Sequence, residues 1–180
     1  MAFEYLKQFL CVSRNVRVGE RFKVGVRSRI SAPVQLKIGD NVSIGRATRI
    51  NGDGQIGNRV KIGDYVTIIP PQKFCRDQNG SLVEVSFPSH ANLPNFIHAD
   101  SIYIEDDVRI EHGAIILGGI TVSRGAIIRP GAVVTSYVAP YTIVVGNPAV
   151  PVGQVDVIPS IDININTDDD ERTAVKVLDI

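Results

Sequence analysis

The sequence predicts an all-β fold, a parallel β-helix built from repeated hexapeptides, on the strength of three observations. Isoleucine recurs at a strict spacing of six in the middle of the chain, at Ile38, Ile44, Ile50, Ile56, Ile62 and Ile68. A period of six matches neither an amphipathic helix, whose period is 3.6, nor a simple alternating strand, whose period is 2. The period continues on both sides of this block, and the fifth position of most hexads is small or branched.

In a parallel β-helix, each short strand stacks on its equivalent one coil away and points its apolar side chains inward. Three hexads form one triangular coil, so the regular stretches predict about five coils, or roughly 24 Å of stack at the usual spacing of neighbouring strands. The second position of a hexad is often glycine. We expect this glycine to supply the turn, because it reaches positive φ without a steric penalty.

The N-terminal part consists of a cap and the first repeats. Residues 1–11 form a short amphipathic segment that we expect to cover the first coil. The repeats begin at Val12, and a slip of two residues near Ala32-Pro33 leads to the register of Ile38. The six isoleucines from Ile38 onward should point into the core.

A long insertion interrupts the repeats over about residues 70–101. The hexad register stops at Ile68 and resumes at Ile104, and Asn79-Gly80 is a typical hairpin turn between two short strands. Loops longer than about 12 to 15 residues are uncommon unless they are functional or disordered. The insertion is therefore the first place to look for function.

The repeats close near residue 149, so the predicted β-helix domain covers 12–149. Residues 150–180 form a C-terminal extension that combines an alternation of isoleucines with an acidic cluster, Asp168 to Glu171. Its alternation of apolar residues suggests packing against a neighbouring chain, whereas an acidic run is usually a solvated connector.

Composition and charge exclude several classes of function. Residues 1–69 carry 12 Lys and Arg against 5 Asp and Glu, but these basic residues are not clustered with aromatics, so nucleic acid is not expected as a partner. The first ten residues resemble neither a signal peptide nor a membrane span. Cys11 and Cys75 are too few for a disulfide framework or a zinc site, so we expect a cytoplasmic protein without a metal.

Residues 102–148 carry a family resemblance. They include I-E-D-D-V-R-I-E-H-G-A-I-I-L-G-G-I-T-V-S-R-G-A-I-I-R-P-G-A-V-V-T and then V-A-P-Y-T-I-V-V-G-N-P-A. This segment resembles the C-terminal coils of the hexapeptide-repeat acyltransferases, including those that O-acetylate sugars and xenobiotics. The resemblance, which extends over about residues 12–149, implies a left-handed β-helix assembled as a homotrimer. It also implies acetyl-CoA in the groove between subunits and transfer of the acetyl group to a hydroxyl or amine of a sugar or nucleotide-sugar.

A histidine of the insertion would serve as the general base. A neutral imidazole can accept a proton at cellular pH, and such catalysis typically contributes about 10²–10⁴-fold. His90, between Pro88 and Pro94, best matches the family pattern and is the predicted catalytic residue. His98 is a weaker candidate, and His112 occupies a turn position where a structural or cofactor-lining role is expected.

The resemblance also implies which residues hold the cofactor. In relatives the pantetheine runs along the last coils and contacts the backbone of their turns. Here those positions are Gly118, Gly119, Gly125, Ala126, Gly131 and Ala132. Relatives commonly have a basic residue after N-P-A, where this chain has Val150-Pro151-Val152. Either Arg124 or Arg129 would supply the positive charge, or the phosphates of CoA would stay exposed to solvent.

Two alternatives remain open from the sequence. A trimeric scaffold that has lost catalysis would explain Pro70-Pro71 at the start of the insertion and the missing basic residue after N-P-A. A metalloenzyme like the γ-class carbonic anhydrases would need three histidines with two of them close together. His90, His98 and His112 do not have that spacing.

Overall fold

The computed structural model describes residues 12–69, 74–76, 82–84 and 101–156. These residues form nineteen β-strands and no helix. All but three of the strands, the hairpin pair β10 and β11 and the final strand β19, stack in parallel into three sheets, which are the three faces of a prism. The all-β prediction is confirmed.

Each face collects every third strand of the chain. Face 1 contains β1 (Val16–Val18), β4 (Leu36–Ile38), β7 (Gly54–Ile56), β12 (Ile102–Ile104) and β15 (Thr121–Val122). Face 2 contains β2 (Lys23–Val24), β5 (Ser43–Ile44), β8 (Lys61–Ile62), β13 (Arg109–Ile110), β16 (Ile127–Ile128) and β18 (Thr142–Val145). Face 3 contains β3 (Arg29–Ser31), β6 (Arg49–Asn51), β9 (Thr67–Ile69), β14 (Ile115–Leu117) and β17 (Val133–Val134).

The hexad isoleucines form the core, as predicted. All six from Ile38 to Ile68 are buried, with at most 4% of their surface exposed. The fifth hexad positions fill the corners of the prism, where Val42, Val60 and Ala114 are fully buried. Because equivalent strands of successive coils align their inward residues in columns, the core is a stack of aliphatic layers. Its middle coils contain no buried aromatic side chain among the described residues.

The insertion leaves the register of the stack unchanged. Strand β7 pairs in parallel with β12, so Ile56 lies next to Ile104, and β9 pairs with β14, so Ile68 lies next to Ile116. The two blocks of repeats therefore form one continuous β-helix, as predicted.

A short hairpin lies within the insertion. Strands β10 (Phe74–Arg76) and β11 (Leu82–Glu84) pair antiparallel, as the sequence suggests. Their predicted turn, Asn79-Gly80, lies outside the described residues.

The prediction for the second-position glycines is wrong in its mechanism. Residues with positive φ occupy the fourth hexad position instead, such as Asn41 at φ 57° and Tyr65 at φ 59°. The second-position glycines are required because neighbouring coils approach closely. A Cβ on Gly45 would lie 2.4 Å from Asp64 Oδ1 and 2.5 Å from the carbonyl carbon of Gly63.

The two ends of the chain are described only in part. The cap over residues 1–11 and the extension beyond 156 lie outside the described residues. Residues 150–154 continue the stack, since β19 (Val150–Gln154) pairs antiparallel with β18. The fold of face 2 thus extends past the predicted boundary at 149.

Candidate active site

The prism has three corners, which alternate along every coil. The first corner joins face 1 to face 2, the second joins face 2 to face 3, and the third joins face 3 to face 1. The insertion leaves the prism at the third corner, between Ile69 and Ile102.

A groove of about 410 Å³ lies on face 2 beside the second corner. It is lined by Lys61, Ile62, Gly63, Arg109, Ile110, Glu111, His112 and Pro130. Strands β8 and β13 supply half of this lining, and they pair so that Arg109 lies directly opposite Lys61. We call this feature the face-2 groove.

Side chains at the third hexad position form a hydrogen-bond ladder at the corners. In each step, the side chain of one coil accepts a hydrogen bond from the backbone N–H at the same position of the preceding coil. At the first corner, Asn58 Oδ1 accepts from Asp40 N at 2.9 Å, and Asp106 Oδ1 accepts from Asn58 N at 2.7 Å. At the second corner, Asp64 Oδ1 accepts from Arg46 N at 2.7 Å. The ladder satisfies backbone donors that the turns would otherwise leave to solvent.

His112 is the next step of the ladder at the second corner. Its Nδ1 accepts a hydrogen bond from the backbone N–H of Asp64 at 3.0 Å. A backbone N–H can only donate, so Nδ1 carries no proton in this arrangement, and the proton of the neutral ring is on Nε2. His112 therefore offers the groove a hydrogen-bond donor rather than a free basic nitrogen.

The charges around the face-2 groove are unbalanced. Glu111 is neutralised by Arg129, whose Nη1 lies 3.2 Å from Glu111 Oε2. Lys61 and Arg109 are exposed, and neither forms an ion pair within the described part of the chain. The groove thus combines two unneutralised cations with the donor of His112.

Two carboxyl groups at the corners, Asp64 at the second and Asp107 at the first, are held in their charged form. The backbone N–H of Arg46, followed by its guanidinium, lowers the pKa of Asp64 below its usual value. The guanidinium of Arg59 lowers the pKa of Asp107 in the same way. Hydrogen bonds to the ionised carboxylate favour that form, which is the physical cause of both shifts.

The predicted base, His90, and the weaker candidate, His98, lie outside the described residues. Their roles stay predictions. His112 is the single histidine within the described ranges, and the structure shows both a structural function for its Nδ1 and access to a groove. The sequence could have indicated the structural function of His112, because this residue occupies the hexad position that Asp40, Asn58 and Asp64 occupy in other coils.

The residues predicted to bind the cofactor do not lie together. Gly118 and Gly119 are at the third corner, Arg124, Gly125 and Ala126 at the first, and Arg129, Gly131 and Ala132 at the second. Only the last group is adjacent to the face-2 groove.

The backbone N–H groups of the six small residues already have acceptors in the chain. The acceptors are the carbonyl groups of Ile69 for Gly118, Ser101 for Gly119, Asp106 for Gly125, Ser123 for Ala126, His112 for Gly131 and Arg129 for Ala132. Ala126 and Ala132 are also fully buried. Contacts from these turns to pantetheine would have to use carbonyl oxygens, so their role in cofactor binding stays a prediction.

A second cavity, of about 380 Å³, lies at the C-terminal end of the prism. Its lining is apolar except for hydroxyl groups and the amide of Gln154, and includes Tyr137, Val138, Thr142 and Pro151. It contains no carboxylate, imidazole or cationic side chain, so the face-2 groove is the better candidate for chemistry.

Among the described residues, no three His, Cys, Asp or Glu side chains are arranged to hold a metal ion. The same part of the chain contains no helix that could span a membrane.

Curated acetyltransferases match parts of the chain. The candidate acetyltransferase C18B11.09c of Schizosaccharomyces pombe is 35% identical over 104 residues, which cover 56% of this chain and 43% of that protein. The 2,3,4,5-tetrahydropyridine-2,6-dicarboxylate N-acetyltransferase of Staphylococcus aureus is 49% identical over 51 residues, or 28% of this chain and 21% of that protein. The chloramphenicol acetyltransferase of Agrobacterium fabrum is 48% identical over 63 residues, or 34% and 30%. The chain therefore spans less than half the length of each of these relatives. No protein-family model matches it.

Solved structures show the same architecture. PerB from Caulobacter crescentus, in complex with CoA and GDP-perosamine, has a TM-score of 0.59 at 20% identity and covers 79% of this chain and 54% of that chain. The hexapeptide-repeat containing acetyltransferase VCA0836 from Vibrio cholerae has a TM-score of 0.52 at 21% identity, and the match covers 87% of this chain and 81% of that chain. The chain has the fold of the hexapeptide-repeat acetyltransferases. The predicted left-handed β-helix is confirmed.

Proposed function

We propose that the protein transfers an acetyl group from acetyl-CoA to a hydroxyl or amine of a sugar or nucleotide-sugar, and that it acts as a homotrimer. The observation that carries this proposal is the combination of the hexapeptide-repeat fold with curated relatives that are acetyltransferases. The structure of PerB with CoA and GDP-perosamine supports the choice of a sugar-nucleotide acceptor.

The reaction needs one proton acceptor and no covalent enzyme intermediate. The acceptor's oxygen or nitrogen attacks the thioester carbonyl carbon, a C–O or C–N bond forms, and the C–S bond breaks. The base takes the proton of the attacking group, and the departing CoA sulfur regains a proton. A histidine is suited to this role because its neutral form is abundant near pH 7.

His90 is the proposed base, and the geometry of His112 supports this choice by contrast. For a histidine to act as a base through Nε2, its Nδ1 should carry the proton and donate it to an orienting group. His112 has the opposite arrangement, because its Nδ1 accepts from Asp64 N–H. His112 would lose a ladder hydrogen bond before it could serve as such a base.

The proposed trimer places acetyl-CoA between neighbouring prisms. Face 3 supports this arrangement with an outward apolar side chain: Ile115 is 36% exposed and lies beside Val133 on one side and Thr67 on the other. Tyr65, at the adjoining second corner, is 65% exposed. Exposed apolar and aromatic side chains that are grouped on one surface are typical of regions that are covered in an assembly. Arg129 and Gly131 at the same corner are the predicted cofactor residues that fit this position.

A trimeric scaffold without catalytic activity is the second candidate. Two observations favour it. The predicted cofactor residues are distributed over three corners, and the backbone N–H groups of the small ones already donate hydrogen bonds within the coil stack. The two candidates differ in one observable, the acceptor-dependent release of CoA thiol.

The test is an assay of thiol release from acetyl-CoA with a panel of nucleotide-sugars and simple glycosides. We expect at least one acceptor to be turned over, and we expect His90→Ala to lower kcat by about 10²–10⁴-fold with little change in acetyl-CoA affinity. His98→Ala is the matched control within the same insertion. If His98→Ala shows the loss and His90→Ala is fully active, the assignment of the base is wrong. If no acceptor is turned over, the scaffold replaces the enzyme.

A further inference from the structure

The face-2 groove has features of an anion site that the acetyl-transfer chemistry does not use. Lys61 and Arg109 lie opposite each other on paired strands, so two like charges are neighbours on one face of a sheet. Like charges in this position destabilise a sheet. No carboxylate of the described residues compensates them, because the nearby Glu111 is bound to Arg129.

His112 adds a directed neutral donor to this pair. The hydrogen bond from Asp64 N–H to Nδ1 fixes the proton on Nε2, and His112 lines the same groove as Lys61 and Arg109. Gly63 leaves room for the ring, since a Cβ at that position would lie 3.1 Å from His112 Nδ1. The groove therefore presents a guanidinium, an ammonium and an N–H donor without a matching acceptor of its own.

We propose that the face-2 groove is a phosphate-binding site formed by Lys61, Arg109 and His112. A phosphoryl group accepts several charge-assisted hydrogen bonds, and an arginine fork with a lysine point charge is a common way to hold one. Its binding would also relieve the repulsion between the two cations. The proposal deepens the proposed function, because both co-substrates offer such a group: the diphosphate of a nucleotide-sugar and the phosphates of CoA.

The test measures binding directly, by isothermal titration calorimetry at low ionic strength, with three probes: inorganic pyrophosphate, UDP-glucose and CoA. We expect pyrophosphate to bind the full chain. Arg109→Gln should weaken the affinity for pyrophosphate about tenfold or more, as expected for the loss of a charge-assisted contact. The matched control is Lys23→Gln, which removes the same charge from the same face on β2, outside the groove. It should leave binding nearly unchanged.

The organic probes distinguish the source of the phosphate. If Arg109→Gln weakens UDP-glucose and not CoA, the groove holds the acceptor's diphosphate, and the reverse result assigns it to CoA. Equal weakening by Arg109→Gln and Lys23→Gln would show general electrostatic attraction and would overturn the proposal. So would the absence of any effect of Arg109→Gln.

Two substitutions of His112 separate its donor from its role in the ladder. His112→Asp keeps an acceptor for Asp64 N–H, as Asp64 itself does for Arg46, but removes the donor and adds a negative charge. His112→Asn keeps both an acceptor and an N–H donor, as Asn58 does at the first corner. Phosphate binding should be lost in the Asp variant and largely kept in the Asn variant. Equal binding by the two would overturn the assignment of His112.

Folding and turnover controls keep the result independent of the proposed reaction. Without ligand, Arg109→Gln should not lower the thermal midpoint, because it removes a like-charge contact. If acetyl transfer occurs but pyrophosphate binding does not depend on Arg109, the phosphate site fails and the enzyme stands. If the site binds pyrophosphate as described and no acceptor is turned over, the site stands without the enzyme.

Discussion

Truncation of Ile56 to alanine tests the layered core at the point where the two blocks of repeats meet. Ile56 is fully buried and lies between Ile38 and Ile104, so its side chain contributes to the stacking of the coils on both sides of the insertion. The substitution removes three carbons, which corresponds to about 2.4 kcal/mol of transfer free energy at about 0.8 kcal/mol for each. The unfilled space adds to this cost, and substitutions of this type destabilise by about 2–5 kcal/mol in total.

Val18 provides a control in the same column. It pairs with Ile38 on the other side, but it belongs to the first strand of face 1 and is 43% exposed. We therefore expect Val18→Ala to cost less than about 1 kcal/mol, since half-exposed side chains lose little burial. Val18→Ala removes two carbons and Ile56→Ala removes three, a difference of about 0.8 kcal/mol in transfer free energy. A larger difference between the two costs therefore reflects the burial of Ile56 within the stack.

The assay is urea unfolding at one protein concentration, followed by far-ultraviolet circular dichroism because the chain has no tryptophan. Ile56→Ala should shift the midpoint strongly to lower urea, and Val18→Ala only slightly. A cost for Ile56→Ala that is no larger than that for Val18→Ala would refute the continuous aliphatic column.

Three further predictions concern the corners. Gly45→Ala should destabilise the fold by about 1–3 kcal/mol, because the added Cβ would overlap Asp64 and Gly63. Ala47→Gly should cost little, because residue 47 has a φ of 52°. Equal thermal midpoints of the two variants would contradict this expectation. The lowered pKa of Asp64 stabilises the fold above the carboxyl's ordinary pKa near 4, and this contribution is lost as the pH falls through the lower folded value. Asp64→Asn keeps the ladder acceptor without the charge, so its midpoint should fall less than that of the wild type between neutral and acidic pH, and parallel curves would argue against the effect. His112→Ala removes the acceptor for Asp64 N–H and should lower the thermal midpoint more than His112→Asn does. The loss of this hydrogen bond should also speed the hydrogen exchange of the Asp64 amide.

The sequence defines the fold because the first position of each hexad marks a residue that points into the core. The register of Ile56 against Ile104 follows from it even across the insertion, since every coil must present the same side chains to the core. The turn conformation did not follow. Positive φ occurs at the fourth hexad position, where Arg21, Asn41 and Tyr65 adopt it without being glycine. The second-position glycines serve the close approach of neighbouring coils instead.

The candidate site was less accessible to sequence reasoning, because a prism separates residues that are near in the chain. Gly119 and Gly125 are one hexad apart and lie at different corners. Conversely, Lys61 and Arg109 are 48 positions apart and become neighbours only because the insertion preserves the register. The hydrogen bond that fixes the proton of His112 likewise joins two distant coils.

Detection of the acetylated acceptor by mass spectrometry is the most direct test of the proposed acetyl transfer. The wild-type protein would be incubated with acetyl-CoA and each nucleotide-sugar or glycoside of the panel, and the mass of the acceptor would be followed together with free CoA. We expect one acceptor to gain a single acetyl group in step with the release of CoA thiol, and we expect His90→Ala to slow both to the same extent. No acetylated product from any acceptor, with acetyl-CoA left intact by the folded protein, would contradict the proposed transfer.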